Sequence, residues 1–121
     1  METDIASILE ELKKINNMEI KLEEVTYILN LLATLFEKDS RTADVCYALS
    51  KAFSSSNANH GYKEFIKLIK EEVSFQRGVL EHIEASIKSY KGKEEINYKK
   101  VLESQKLILS IFNRLRVFVS N

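Results

Sequence analysis

The sequence predicts an all-α protein, an up-down helical bundle of four to five helices with a long C-terminal antiparallel helical hairpin. Three observations predict it. Proline, which breaks helix interiors by removing an N–H and crowding the preceding turn, is absent, and there are only three glycines. Apolar residues recur at alternating three- and four-residue spacing along most of the chain. The stretch Leu107–Val119 (LILSIFNRLRVFV), wound as a helix, carries apolar residues on nearly every side, so it needs neighbours around it. At 121 residues the chain is long enough for one domain with one hydrophobic core, spanning 1–121.

The elements follow in order. Thr3 is placed to cap a first helix, with Asp4 suited to the positive end of its dipole and Ile5, Ile8, Leu12 and Ile15 on one face. Asn16-Asn17 interrupts that pattern, and Asn17 is placed to cap a second helix. Its stripe is Met18, Leu22, Val25, Leu29, Leu32 and Phe36, widened by Ile28, Leu31 and Leu35. Asp39 or Ser40 opens a third helix carrying Cys46, Leu49, Ala52 and Phe53 inward. The run Ser54–Gly61 reads as a loop. A fourth helix over Tyr62–Tyr90 has the seam Ile66, Ile69, Val73, Gln76, Leu80, Ile83, Ile87 and Tyr90. Gly92 is a candidate C-cap, since glycine tolerates the left-handed conformation that ends helices. A fifth helix begins near Lys93 with the seam Tyr98, Val101, Gln105, Ile108, Phe112, Leu115 and Val119. The short turn makes helices four and five antiparallel neighbours, and helices two and five, the most apolar, are expected at the centre of the bundle.

Composition narrows the function classes. The formal net charge is zero, which excludes a whole-chain polyelectrolyte signature for nucleic acid or membrane. The halves differ: residues 1–60 carry six Lys/Arg against ten Asp/Glu, a net of −4, and residues 61–121 carry twelve against eight, a net of +4. Such asymmetry predicts halves that pack together or faces of opposite charge. Cys46 is the sole cysteine, which points to a reducing compartment. The acidic start lacks the basic and apolar regions of a secretory leader, and the longest uncharged run, Val25–Phe36, is too short to span a bilayer. The expected location is the cytoplasm. Richness in Lys, Ile, Asn and Glu suggests an AT-rich microbial or viral coding sequence.

Candidate sites are few. Gln76 and Gln105 are the only polar residues in their seams. With the expected hairpin register Gln76 lies near Ile108 and Gln105 near Leu80, so the two amides are about one turn apart, within reach of each other directly or through water. Buried amides of this kind favour a register device over a ligand site, because a slipped alignment would leave them unsatisfied. Cys46, on an apolar face, reads as a small buried hydrophobe. Neither His60 nor His82 has a Glu three residues before it, as di-iron bundles require, and no cofactor or metal is expected. Lys88, Lys91, Lys93, Lys99 and Lys100 crowd the helix four–five turn, with Tyr90 and Tyr98 between them. They offer a possible grip on nucleic acid, or simply a solvated hairpin end diluted by Glu94 and Glu95.

Arg77-Gly78-Val79-Leu80-Glu81-His82, an Arg, four residues and a His, resembles the catalytic motif of HEPN-domain ribonucleases, which are all-α and of about this size. The resemblance covers that motif alone. It implies a metal-independent RNA-cleaving site assembled from paired subunits, with Arg77 stabilising the phosphate and His82 transferring a proton. The family usually has a polar residue after the Arg, where this chain has Gly78. On a regular helix, residues five apart point about 140° away from each other, so the motif needs a kink at Gly78 or a second subunit. The simpler expectation is that Arg77 pairs with Glu81 and His82 meets Glu103 across the hairpin.

The functional expectation that fits best is a non-enzymatic protein–protein interaction module that self-associates as a homo-oligomer, such as an adaptor, an immunity or inhibitor-like protein, or a small subunit of a complex. Two broadly apolar helices give more hydrophobic surface than one short bundle covers. The expected interface is the end of the last helix, Leu115, Val117, Phe118 and Val119.

Overall fold

A computed structural model describes residues 4–55, 62–89 and 95–120. They form five α-helices: α1 (Ile5–Asn16), α2 (Val25–Thr34), α3 (Arg41–Ser55), α4 (Lys63–Ser89) and α5 (Glu95–Ser120), with a single 3₁₀ turn at Leu22–Glu24 before α2. No strand occurs among the described residues. The expected caps at Thr3 and Gly92 lie outside them, as does most of the expected loop Ser54–Gly61, whose first two residues, Ser54 and Ser55, instead continue α3 as its last turn.

Local chemistry sets the helix ends. Asp4 caps α1, its carboxylate accepting the Ala6 N–H at 3.3 Å. Asn17 does not open a second helix but closes the first, its side-chain amide donating to the Lys13 carbonyl at 3.0 Å. Arg114 of α5 donates to the Ile15 carbonyl at 2.7 Å and also to the Met18 carbonyl. Two orphan carbonyls at the end of α1, those of Lys13 and Ile15, are thereby satisfied by side chains, and the Met18 carbonyl just beyond is held by the same Arg114. The chain then passes through the 3₁₀ turn, with Glu24 accepting the Lys21 N–H at 3.1 Å, and α2 starts only at Val25. Ile20, which lies off the expected stripe, is the residue buried here; Met18 and Leu22, which lie on it, are more than half exposed at 52% and 54%. After α2, Asp39 takes a left-handed conformation at φ 69°, which Asp tolerates, and Ser40 caps α3 by accepting the Ala43 N–H at 3.2 Å.

The helices close into a ring. Each packs on the next in sequence, and α5 packs on α1. Arg41 and Thr42 of α3 meet Glu72 and Gln76 of α4, whereas Phe53 stacks on Tyr62 and meets Phe65 edge-on, so α3 and α4 are antiparallel. An up-down ring with an odd number of helices sets its first and last members side by side in the same direction. This is observed: Asn16 accepts a bond from Ser110, and α1 and α5 run on together toward Ala6 and Lys100. The core is shared by Leu12, Ile28, Leu32, Leu49, Phe65, Ile69, Ile111, Phe112 and Leu115, all fully buried. Helices α2 and α5 are not central as expected from their apolar content. They are ring members whose side chains meet in the common core, and α2 keeps a narrow solvent stripe of Tyr27, Asn30 and Thr34.

The hairpin of α4 and α5 is longer than the other helices can cover. No residue of α4 beyond Gln76, and no described side chain of α5 before Gln105, is fully buried. Residues 77–89 of α4 reach roughly 20 Å past the level of Gln76. There Leu80, Ile83 and Ile87 keep the expected seam but are only half-buried. Val101, expected inside, is 50% exposed.

Candidate functional site

The most developed polar arrangement links α3, α4 and α5 where the ring ends and the free hairpin begins. Gln105 donates to the Gln76 side-chain oxygen at 2.7 Å and to the Gln76 backbone carbonyl at 3.1 Å. The expected amide pair therefore forms directly, in a register about three residues tighter than the sequence-based one. Gln76 in turn donates to Glu72 at 3.3 Å and Thr42 at 3.4 Å. Arg41 donates to both Glu72 oxygens, at 2.9 and 3.1 Å, and lies 3.8 Å above the ring centre of Phe75. Glu72, Thr42 and Arg41 were not singled out from the sequence. Glu72 lies one turn before Gln76, and a Glu on the buried side of an otherwise apolar seam was the signal that could have found it.

Burial pushes the Glu72 carboxyl above its ordinary value, and the bonds from Arg41 and Gln76 oppose the shift without cancelling it. The Cys46 thiol is pushed up to about 12, first by burial and then by the nearby Glu72 charge. A thiol so raised stays protonated at neutral pH and is a poor nucleophile. The network has every member bonded to another, and it opens onto none of the surface grooves described below. Its chemistry is that of a structural clasp that fixes hairpin register and ties α3 to it.

The Arg77–His82 motif is not assembled within one chain. Helix α4 runs unbroken through Gly78, so the two residues stay about 140° apart around it, both exposed. A Cβ added at Gly78 would meet nothing within 4 Å, and α4 passes through it as continuous helix, without the break that would bring the two together. The simpler expectation also fails: among the described residues neither an Arg77–Glu81 pair nor a His82–Glu103 contact forms. Arg77 instead lines a groove with Leu80, Lys106, Leu109, Ser110 and Asn113.

Of the basic cluster, Lys88, Lys99 and Lys100 are exposed on the free hairpin, and Lys91 and Lys93 lie outside the described residues. Lys100 edges a groove of about 450 Å³ between α1 and α5, floored by Ala6, Leu9 and Leu107 and rimmed by Glu10, Lys13 and Glu103. Acids and bases alternate around it, so no uniformly positive track forms there.

The expected interface divides. Leu115 is fully buried in this chain's own core, where it fills space between helices and is closed to a second subunit. Phe118 and Val119 are half-buried and pack against that core. Val117 is 43% exposed. With Phe118 it lines a groove of about 290 Å³ whose other walls are Glu19, Ile20, Asn113 and Arg114. Met18, exposed and next in the chain to Glu19, accepts a bond from Arg114 at its backbone carbonyl. No set of three or more His, Cys, Asp or Glu close enough to hold a metal ion occurs among the described residues, and no described helix is long and apolar enough to cross a membrane. No protein-family model, curated protein or solved structure matches the chain.

Proposed function

We propose that this chain is a small non-enzymatic protein–protein interaction module that self-associates, of the kind that serves as an adaptor, an immunity or inhibitor protein, or a small subunit of a complex. One observation carries the reading. Val117 and the outer edge of Phe118 meet Ile20 in one groove, beside Glu19, Asn113 and Arg114, and exposed Met18 is the chain neighbour of Glu19 in its wall. Single exposed apolar residues are ordinary; a cluster around a concave surface is the pattern of a contact site. Arg114 holds both walls of that groove together by bonding the end of α1, so the surface is presented without prior rearrangement.

The test is the solution mass as a function of concentration, for the natural chain and for Val117→Glu. Val117 is the better probe than Phe118, because Phe118 also supports the core. The expected result is a mass above the 14.0 kDa of one chain for the natural sequence. Val117→Glu should return to one chain's mass with an unchanged helical spectrum. A strictly monomeric natural protein at high micromolar concentration overturns self-association.

A further inference from the structure

We infer that two copies pair through α5 in antiparallel fashion, about a two-fold axis near Ser110 and Asn113, with the basic end of one face set on the acidic end of the other. This rests on the self-association proposed above and specifies its geometry.

The groove at Arg77 and the groove at Glu19 share Asn113, so they form one continuous strip along the exposed side of α5. One end is basic. Arg77 and Lys106 are exposed there, and neither is in an ion pair among the described residues. The other end holds Glu19, also exposed and unpaired among the described residues, beside Met18. Leu80, Leu109, Val117 and Phe118 supply apolar surface along the length. Arg114 stands at the acidic end too, but its guanidinium donates to the carbonyls of Ile15 in the last turn of α1 and of Met18 just past it, and the negative helix end offsets about half of its charge within its own chain.

An isologous contact requires that if residue i meets j, then j meets i. A face that is basic at one end and acidic at the other meets this condition when a copy is turned end for end, since the same favourable contact then forms twice. A parallel arrangement would set Lys106 beside Lys106. From Lys106 to Val117 is roughly 16 Å along the helix, so the two ends are further apart than the Debye length of about 8 Å in physiological salt and do not neutralise each other within one chain. Arg116, which donates to Asn113 near the axis at 3.1 Å, adds a repulsive element that the two end contacts and the apolar strip must outweigh.

Charge reversal tests this. The dimer dissociation constant would be measured by sedimentation for the natural chain, Lys106→Glu, Glu19→Lys and the double variant, with helical content and thermal unfolding checked in each. Both positions are exposed, and each single change sets like charges together at both ends, so dimerisation should weaken by about tenfold or more. The double variant should recover most of the loss. A natural dimer indifferent to the single changes, or a double variant that recovers nothing, overturns this geometry while leaving self-association standing. A monomeric natural chain overturns both.

Discussion

The lower half of the α4–α5 hairpin and its free upper half are made from the same two helices with the same three-four apolar spacing, yet they are different materials. Below the glutamine pair, Ile69 and Val73 face Ile108, Phe112 and Leu115, and a ring of three further helices closes over them. Above it, Leu80, Ile83 and Ile87 each remain half-buried. The difference teaches that a seam states which side of a helix is apolar, whereas the depth of burial depends on how many other elements reach that level. The clasp of Arg41, Glu72, Gln76 and Gln105 sits at the boundary, where α3 begins; above it α1 still flanks α5 as far as Lys100, but no described residue of α4 is fully buried.

The comparison breaks most severely on a matched pair of truncations. Phe112→Ala, in the closed half, should cost about 3–5 kcal/mol, the range for emptying a sealed aromatic site. Ile83→Ala, in the open half, should cost about 1 kcal/mol, because solvent and the opposite helix can close over the gap. Urea unfolding checks both. Equal costs would mean that the upper half is as tightly packed as the lower.

Next in size is the clasp itself. Arg41→Ala leaves the buried Glu72 carboxylate with Gln76 alone and removes the cation stacked on Phe75, at a cost of roughly 2–3 kcal/mol at neutral pH, discounted because Arg41 is itself half exposed. The loss should shrink in acid, where Glu72 takes up a proton and no longer needs the cation. Amide exchange in residues 77–89 and 98–104 should already be faster than in the lower half in the natural chain, and it should rise further in this variant.

The helices and most of their inward faces were legible in the sequence because three-four periodicity reports them directly, and the absence of proline leaves no competing signal. The Gln76–Gln105 pair was legible for the same reason, as polar interruptions in otherwise apolar seams. Three things were not. The late start of α2 depends on Ile20 being buried in place of Met18 and Leu22, and on Arg114 reaching across from a residue almost a hundred positions away to close α1. The clasp partners Arg41 and Glu72 are 31 residues apart, and neither breaks a pattern when seen alone. Val101 lies on the expected seam and is half exposed, which no periodicity records.

A subtler change separates the charge of Glu72 from its shape. Its folded pKa lies above the ordinary value of 4.5, so its favourable contribution is full below that value and is lost as pH rises through the folded value. Glu72→Gln keeps the volume and the bond to Gln76 while removing the titration. At neutral pH its stability should lie within about 1 kcal/mol of the natural chain, on either side, since a buried ion pair is often no better than a neutral replacement. The informative measurement is the difference between the two proteins across pH. The natural chain should lose ground to the variant as pH rises from the ordinary carboxylate range, then hold a constant difference. A difference that instead grows in favour of the natural chain would mean that Arg41 overcomes the burial penalty.

The smallest change bears on whether the two halves melt together. Gly78 sits just above the clasp, in a helical conformation, and an added Cβ would meet nothing within 4 Å. Replacing it with Ala lowers the backbone entropy lost on forming α4, which is worth about 0.5–1 kcal/mol in an open helix interior. If the hairpin and the ring unfold as one unit, that gain appears in full in the global unfolding free energy. If the upper half frays on its own, amide exchange there slows by up to about fivefold while the global midpoint barely moves. Residues of α4 above Gln76 are nowhere fully buried, and α3 begins at the clasp and does not rise past it, so the second outcome is expected, with Gly78→Ala registering in exchange above Gln76 and not in the melting of the ring.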